Sequence, residues 1–142
     1  MLTIARENLK KYFGYENFRV GQEQIIERVL SGKHTAGIMP TGGGKSICYQ
    51  IPPTILQGVT LLISPLISLM KDQVDALHQV GIPSTFINSS LSYNEVNERM
   101  MDLSYGEYKI LYVAPERLES ESFINELKRL PILLVAVDEA HC

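Results

Sequence analysis

The chain has no tryptophan and only two cysteines in 142 residues. Cys48 and Cys142 lie far apart and form no C-x-x-C pair, so neither a disulfide framework nor a zinc site is suggested. Cys48 reads as a buried thiol on a helix, and His34 and His78, without partner ligands at useful spacing, read as surface residues. No apolar run approaches the roughly 18 residues of a membrane span. The opening MLTIARENLKKYFGY scatters its charges and lacks an apolar segment followed by a small-residue cleavage site, so a cytoplasmic protein without a membrane segment is expected. An excess of positive charge is missing too, because 13 Lys and Arg stand against 16 Asp and Glu, a formal net charge of -3. That balance argues against nucleic-acid binding through bulk charge and leaves only a local basic groove. Low-complexity segments, linkers and fixed-period repeats are also absent. What is present, 45% hydrophobic and 20% charged residues, suits one globular domain with a real core and leaves no room for a second full one.

Short β-branched runs alternate with stretches of helical period. Ala5, Leu9, Tyr12 and Phe13 recur at helical steps, and Ile25, Ile26, Val29 and Leu30 form a second stripe before Ser31-Gly32. Two helices therefore precede the first expected strand, 35–39. A glycine loop follows, then a helix that starts near Lys45 and ends before Pro52-Pro53. VTLLIS reads as a strand, with Leu66, Leu69, Met70, Val74, Leu77 and Val80 on the helix after it, stopped by Gly81 and Pro83. STFINS is a weaker strand. Ser92 and Glu95 make a capping box ahead of Val96, Met100 and Leu103. KILYVA is the next strand, Phe123, Ile124, Leu127 and Leu130 mark a helix stopped by Pro131, and ILLVAVDEAHC comes last.

Strands of near-continuous Val, Ile and Leu separated by helices imply an α/β fold, a doubly wound parallel sheet with helices on both faces. In such sheets ligands collect beyond the carboxyl ends of the strands, so the loops beginning at Met39, Ser64, Ala114 and Asp138 should open on one edge.

The stretch MPTGGGKS ends like the phosphate loop G-x-x-x-x-G-K-[ST], with Met39 where its first glycine belongs. Gly42, Gly43 and Gly44 can present bare N–H groups beside a helix start, where polyphosphate is favoured. Lys45 supplies a point charge for the β and γ phosphates, and Ser46 a hydroxyl for Mg²⁺. Thr41 and Pro40 shape the turn that Met39 cannot close as glycine would. Asp138 and Glu139, leaving an apolar strand, suit the metal's hydration shell and the water that attacks the γ-phosphorus. On residue chemistry alone, alternatives stay open: a helix-capping glycine turn for the loop, a solvated loop for the acidic pair, and a surface or capping role for His141.

FGYENFRVGQ, MPTGGGKS, SPLISLMKDQ, APERL and VDEAHC, in this order, resemble the first lobe of RecQ-type DNA helicases of superfamily 2, from about Tyr12 to the last residue. The resemblance implies a P-loop NTPase, RecA-like lobe, with residues 1–33 as N-terminal helices carrying an adenine motif. It further implies ATP and Mg²⁺ as cofactors and 3′-to-5′ DNA unwinding in recombination and repair. Met39 fits this superfamily, whose phosphate loop commonly lacks the first glycine. By the same resemblance Tyr15, Arg19 and Gln22 form the adenine motif, Tyr15 stacking on the base and Gln22 hydrogen bonding its edge. Without it, Tyr15 reads as core packing and Gln22 as a helix-start residue. Val20 departs from the family, which usually has proline there, and leaves the turn less rigid. Thr41, Gly42, Gly43, Gly44, Lys45 and Ser46 are implied to hold the nucleotide, Asp138 and Glu139 to serve metal and water, and His141 to couple ATP state to DNA. Ser64, Pro65 and Leu66, with Pro115, Glu116 and Arg117 after Ala114, are implied to hold one DNA strand. Each group reads equally well as a strand-to-helix connection with proline in its first turn.

The resemblance also implies partners beyond these residues: DNA and a second helicase lobe that completes the ATP site. The expectation is therefore a truncated first lobe, at most a weak nucleotide binder alone, because unwinding needs two lobes that close and open. Rival readings are a small P-loop kinase or GTPase-like switch, and a noncatalytic nucleotide- or DNA-binding module.

Overall fold

The computed structural model describes residues 2–19, 21–31 and 45–137. The expected strand 35–39, and Thr41, Gly42, Gly43, Gly44, Asp138, Glu139 and His141, lie outside the described residues.

The two expected N-terminal helices are α1, Leu2–Asn8, which widens into a π-type turn over Leu9–Phe13, and α2, Gln22–Leu30. Gly14 closes the turn at φ 77°, its N–H donating to Lys10 O at 3.0 Å, a conformation that costs glycine little. Helix α3, Lys45–Gln50, ends at a 3₁₀ turn over Pro52–Thr54, where proline cannot continue the α-helical ladder. Ile47 of α3 and Ile51 just after it share one buried cluster with Ala5, Leu9, Ile26 and Leu30, so the three helices form a subassembly beside the sheet.

Then follow β1 (Val59–Ile63), α4 (Ile67–Gln79), β2 (Ser84–Ile87), α5 (Tyr93–Ser104), β3 (Ile110–Val113), a 3₁₀ turn (Pro115–Glu119), α6 (Glu121–Leu127) and β4 (Ile132–Val137). Among the described residues the sheet has the order β2-β3-β1-β4 and every pairing is parallel. Both faces are covered, as near-continuous apolar strands require. Leu61, Ile87, Leu111 and Val113 pack against Val96 and Leu103 of α5 and Phe123 and Leu127 of α6. On the other face Leu62, Ile110 and Tyr112 meet Met70, Val74 and Leu77 of α4. The capping box forms, with Ser92 Oγ accepting from Glu95 N–H at 3.2 Å and Glu95 Oε1 from Ser92 N–H at 2.9 Å.

Two details differ from expectation. Leu69 is 43% exposed although its spacing put it on the α4 stripe, because it stands about 100° round the helix from Met70, which owns the buried line. Coverage also thins at β4, where Val135 and Val137 are half or more exposed. Their register partners Leu61 and Ile63 point to the α5 and α6 side, and the seven-residue α6 spends its apolar residues over β1 and β3.

Among the described residues β2 is an edge strand, and side chains close its outer side. His78 is exposed as expected, but its Nε2 donates to Ser84 O at 2.7 Å, a carbonyl being able only to accept. Arg99 donates to Phe86 O at 2.8 Å and Thr85 Oγ1 at 3.1 Å, with its guanidinium 4.6 Å from the Phe86 ring centroid. The two outward-facing carbonyls are thus occupied, which discourages another strand from adding there.

Candidate functional site

Because the four described strands run parallel, the loops after β1, β2 and β3 open on one edge, and β4 ends at Val137 on that same edge. After β1, Ser64 is buried, its N–H donating to Val113 O at 3.0 Å and its Oγ accepting from Leu66 N–H at 3.2 Å. Pro65 is exposed, Leu66 is half-buried and takes the N-cap position of α4, and among the described residues no side-chain cap bond forms there. Ser64 therefore braces its own turn rather than facing outward.

After β3 the chain enters a 3₁₀ turn and not the helix expected from the sequence. Pro115 starts the turn readily, and Ser120 then ends it by taking Phe123 N–H at 3.3 Å to begin α6. Pro115 and Glu116 are exposed, whereas Arg117 is half-buried and donates from Nη2 to Asn88 O at 3.0 Å. Sequence reasoning passed over Asn88, whose only signal was a polar residue at the carboxyl end of the apolar run STFIN.

Of the three adenine-motif residues, Tyr15 is 55% exposed, which removes core packing as its role and leaves its ring available. Arg19 is exposed, and Gln22 is 6% exposed at the first position of α2. Gln22 Oε1 accepts from Arg19 N–H at 2.7 Å and its own N–H donates to Arg19 O at 3.1 Å. This is the helix-start role that residue chemistry gave it. Gly21, at φ 89°, makes the turn that brings the pair together.

Lys45 is the first residue of α3, and the cluster shared by Ile26, Leu30, Ile47 and Ile51 packs its helix against the one that Gln22 begins. The side chains of Lys45 and Ser46 lie outside the described residues. Cys48 is buried on α3 as expected, and burial pushes its thiol up to about 11, so it is an inert core residue. Among the described residues no cluster of three or more His, Cys, Asp and Glu could hold a metal ion, and no helix is long and apolar enough to cross a membrane.

The family described as DEAD/DEAH box helicase matches residues 19–142. The chain is 55% identical to an ATP-dependent DNA helicase RecQ of Bacillus subtilis (strain 168), over 100% of this chain and 24% of that protein. It is 48% identical to an ATP-dependent DNA helicase RecQ of Pasteurella multocida (strain Pm70), over 97% of this chain and 22% of that protein. A probable ATP-dependent DNA helicase RecS of Bacillus subtilis (strain 168) is 45% identical over 99% of this chain and 28% of its own length. The chain thus spans about a quarter of the length of these curated relatives. A parallel α/β sheet with its strand-end loops on one edge, joined to these matches, is a RecA-like lobe, and the chain belongs to the DEAD/DEAH box helicase family, in its RecQ-type branch.

Proposed function

We propose that this chain forms the first ATP-binding lobe of an ATP-dependent DNA helicase of RecQ type, moving 3′ to 5′ in recombination and repair and working against a second lobe. The observation that carries the reading is the single sheet edge. It gathers the turns after β1 and β3, receives β4 ahead of Asp138, and lies in a chain matched by the helicase family over residues 19–142.

In this reading Thr41, Gly42, Gly43 and Gly44 cradle the phosphates with their N–H groups, and Lys45 neutralises the β and γ charges. The hydroxyl of Ser46 and the carboxylate of Asp138 are hard oxygen donors of the kind Mg²⁺ selects, and they would hold it. Bound there, Mg²⁺ neutralises phosphate charge. Glu139 orients the attacking water and takes its proton, and His141 links the site to the DNA side. Tyr15 stacks on adenine and Gln22 reads its edge, with Arg19 held beside it. Pro65 and Leu66, on the turn that Ser64 braces, and then Pro115, Glu116 and Arg117 line the path of one DNA strand. The Arg117 guanidinium suits a phosphate, which fits a chain whose net charge is -3 and whose contacts must be local.

The test is nucleotide binding and DNA-stimulated ATP turnover by the helicase containing this lobe. Lys45→Ala should abolish both tight ATP binding and turnover, and Gln22→Ala should erase the preference for ATP over GTP. Undiminished turnover in Lys45→Ala would refute the assignment of the phosphate loop.

A further inference from the structure

Asn88 is a carboxamide at the end of an apolar strand and only 2% exposed, a place where a polar side chain persists only if its atoms are paired. Its Oδ1 accepts from Ser90 N–H at 2.9 Å and from Ser90 Oγ at 2.5 Å. Its Nδ2 faces Met70 Sδ of α4 at 3.5 Å. Its main-chain oxygen accepts from Leu91 N–H at 3.3 Å and from Arg117 Nη2 at 3.0 Å. One residue therefore touches the helix after β1, folds the loop after β2 on itself, and holds the arginine of the turn after β3.

From this arrangement we infer that Asn88 is a positioning residue for the DNA edge: its side chain locks the loop so that its carbonyl fixes the Arg117 guanidinium. The inference rests on the reading of the 114–117 turn as a DNA contact. Asn88 itself need touch no DNA. The side-chain bonds to Ser90 set the direction of the Asn88 carbonyl, and that carbonyl occupies one of the five N–H donors of Arg117. The guanidinium is thereby held in one orientation, with further donors for phosphate, and loses less freedom when DNA arrives. Without the Ser90 bonds only the long Leu91 N–H contact bears on that carbonyl within the loop, and Arg117 keeps its charge but loses much of its aim.

The experiment is a double-mutant cycle read by the anisotropy of a fluorescein-labelled oligo(dT), with ATP affinity measured on each variant. Arg117→Ala should weaken oligonucleotide binding several-fold and lower the salt slope by about one unit, as expected for one lost phosphate contact. Asn88→Ala should produce a comparable loss alone, but less than roughly twofold further loss when Arg117 is already alanine. ATP affinity should stay unchanged throughout. Equal losses from Asn88→Ala in both backgrounds would overturn the inference, because a merely structural residue acts whether or not Arg117 is present. If Asn88→Ala does not fold, Ser90→Ala at an exposed position carries the same cycle, removing only the hydroxyl bond to Oδ1. A normal affinity in Arg117→Ala would remove the DNA reading of that turn and this inference with it, leaving the phosphate-loop assignment to its own Lys45 test.

Discussion

Replacing Gly58 with alanine tests the backbone geometry that ties β4 to the sheet. Gly58 has φ 128°, a region that side chains other than glycine rarely adopt. A Cβ built there would lie 2.8 Å from Pro131 O and 3.1 Å from Leu133 Cβ. The first contact is with backbone that already accepts Val59 N–H at 2.9 Å, so it cannot rotate away as a flexible side chain would. The backbone conformation costs about 1–3 kcal/mol, and forced overlap in a packed site costs about 1–3 kcal/mol more. The sum, about 2–6 kcal/mol, lowers Tm by roughly 6–18 °C at about 3 °C per kcal/mol. Gly106→Ala is the internal control, since Gly106 has φ 79° with nothing within 4 Å of a built Cβ, and it should lose only about 1–2 kcal/mol. Urea melts followed by far-UV circular dichroism give both values, and amide exchange should accelerate at Val59 in Gly58→Ala. Two equal losses would show that the approach of Pro131 to Gly58 contributes nothing and would refute the packing argument.

Ser92→Ala should cost about 1 kcal/mol in the same melts, because Ser92 Oγ is the cap of α5, and no change would mean that the α5 terminus is satisfied by water. The backbone N–H of Ser92, and secondarily its hydroxyl, hold the Glu95 carboxyl below its ordinary value of 4.5. A lowered pKa gives stability that is present above 4.5 and lost as pH falls through the folded value, so Glu95→Gln should flatten the loss of stability on acidification below that pH. An unchanged pH profile would refute the link. In a Cys142→Ser background, Cys48, with its pKa near 11, is about one-thousandth ionised at pH 8 and should resist a thiol reagent until the chain unfolds. Rapid native-state labelling would contradict its burial.

Much of this architecture was legible in the sequence because hydrophobic period and breakers are local signals. The β-branched runs at Val59–Ile63, Ile110–Val113 and Ile132–Val137 and the stripe of Met70, Val74 and Leu77 define a parallel α/β sheet without tertiary knowledge. The Ser92 cap is legible for the same reason, since its two bonds span three residues. The identities of Lys45, Ser46, Asp138 and Glu139 are sequence facts as well.

What only the tertiary structure decided depends on residues far apart in the chain. The strand order β2-β3-β1-β4 places Asn88 beside Arg117, 29 positions away, and no spacing rule brings those two together. Gly58 looks like an ordinary turn glycine until Pro131 arrives against it. Leu69 has the right step for the core and still faces outward, because which residues of a helical stripe are buried depends on the breadth of the sheet beneath. Local chemistry fixed which elements form and which residues could hold phosphate. Packing fixed which strand-end loops meet, and so which side chains share the edge where that chemistry would take place.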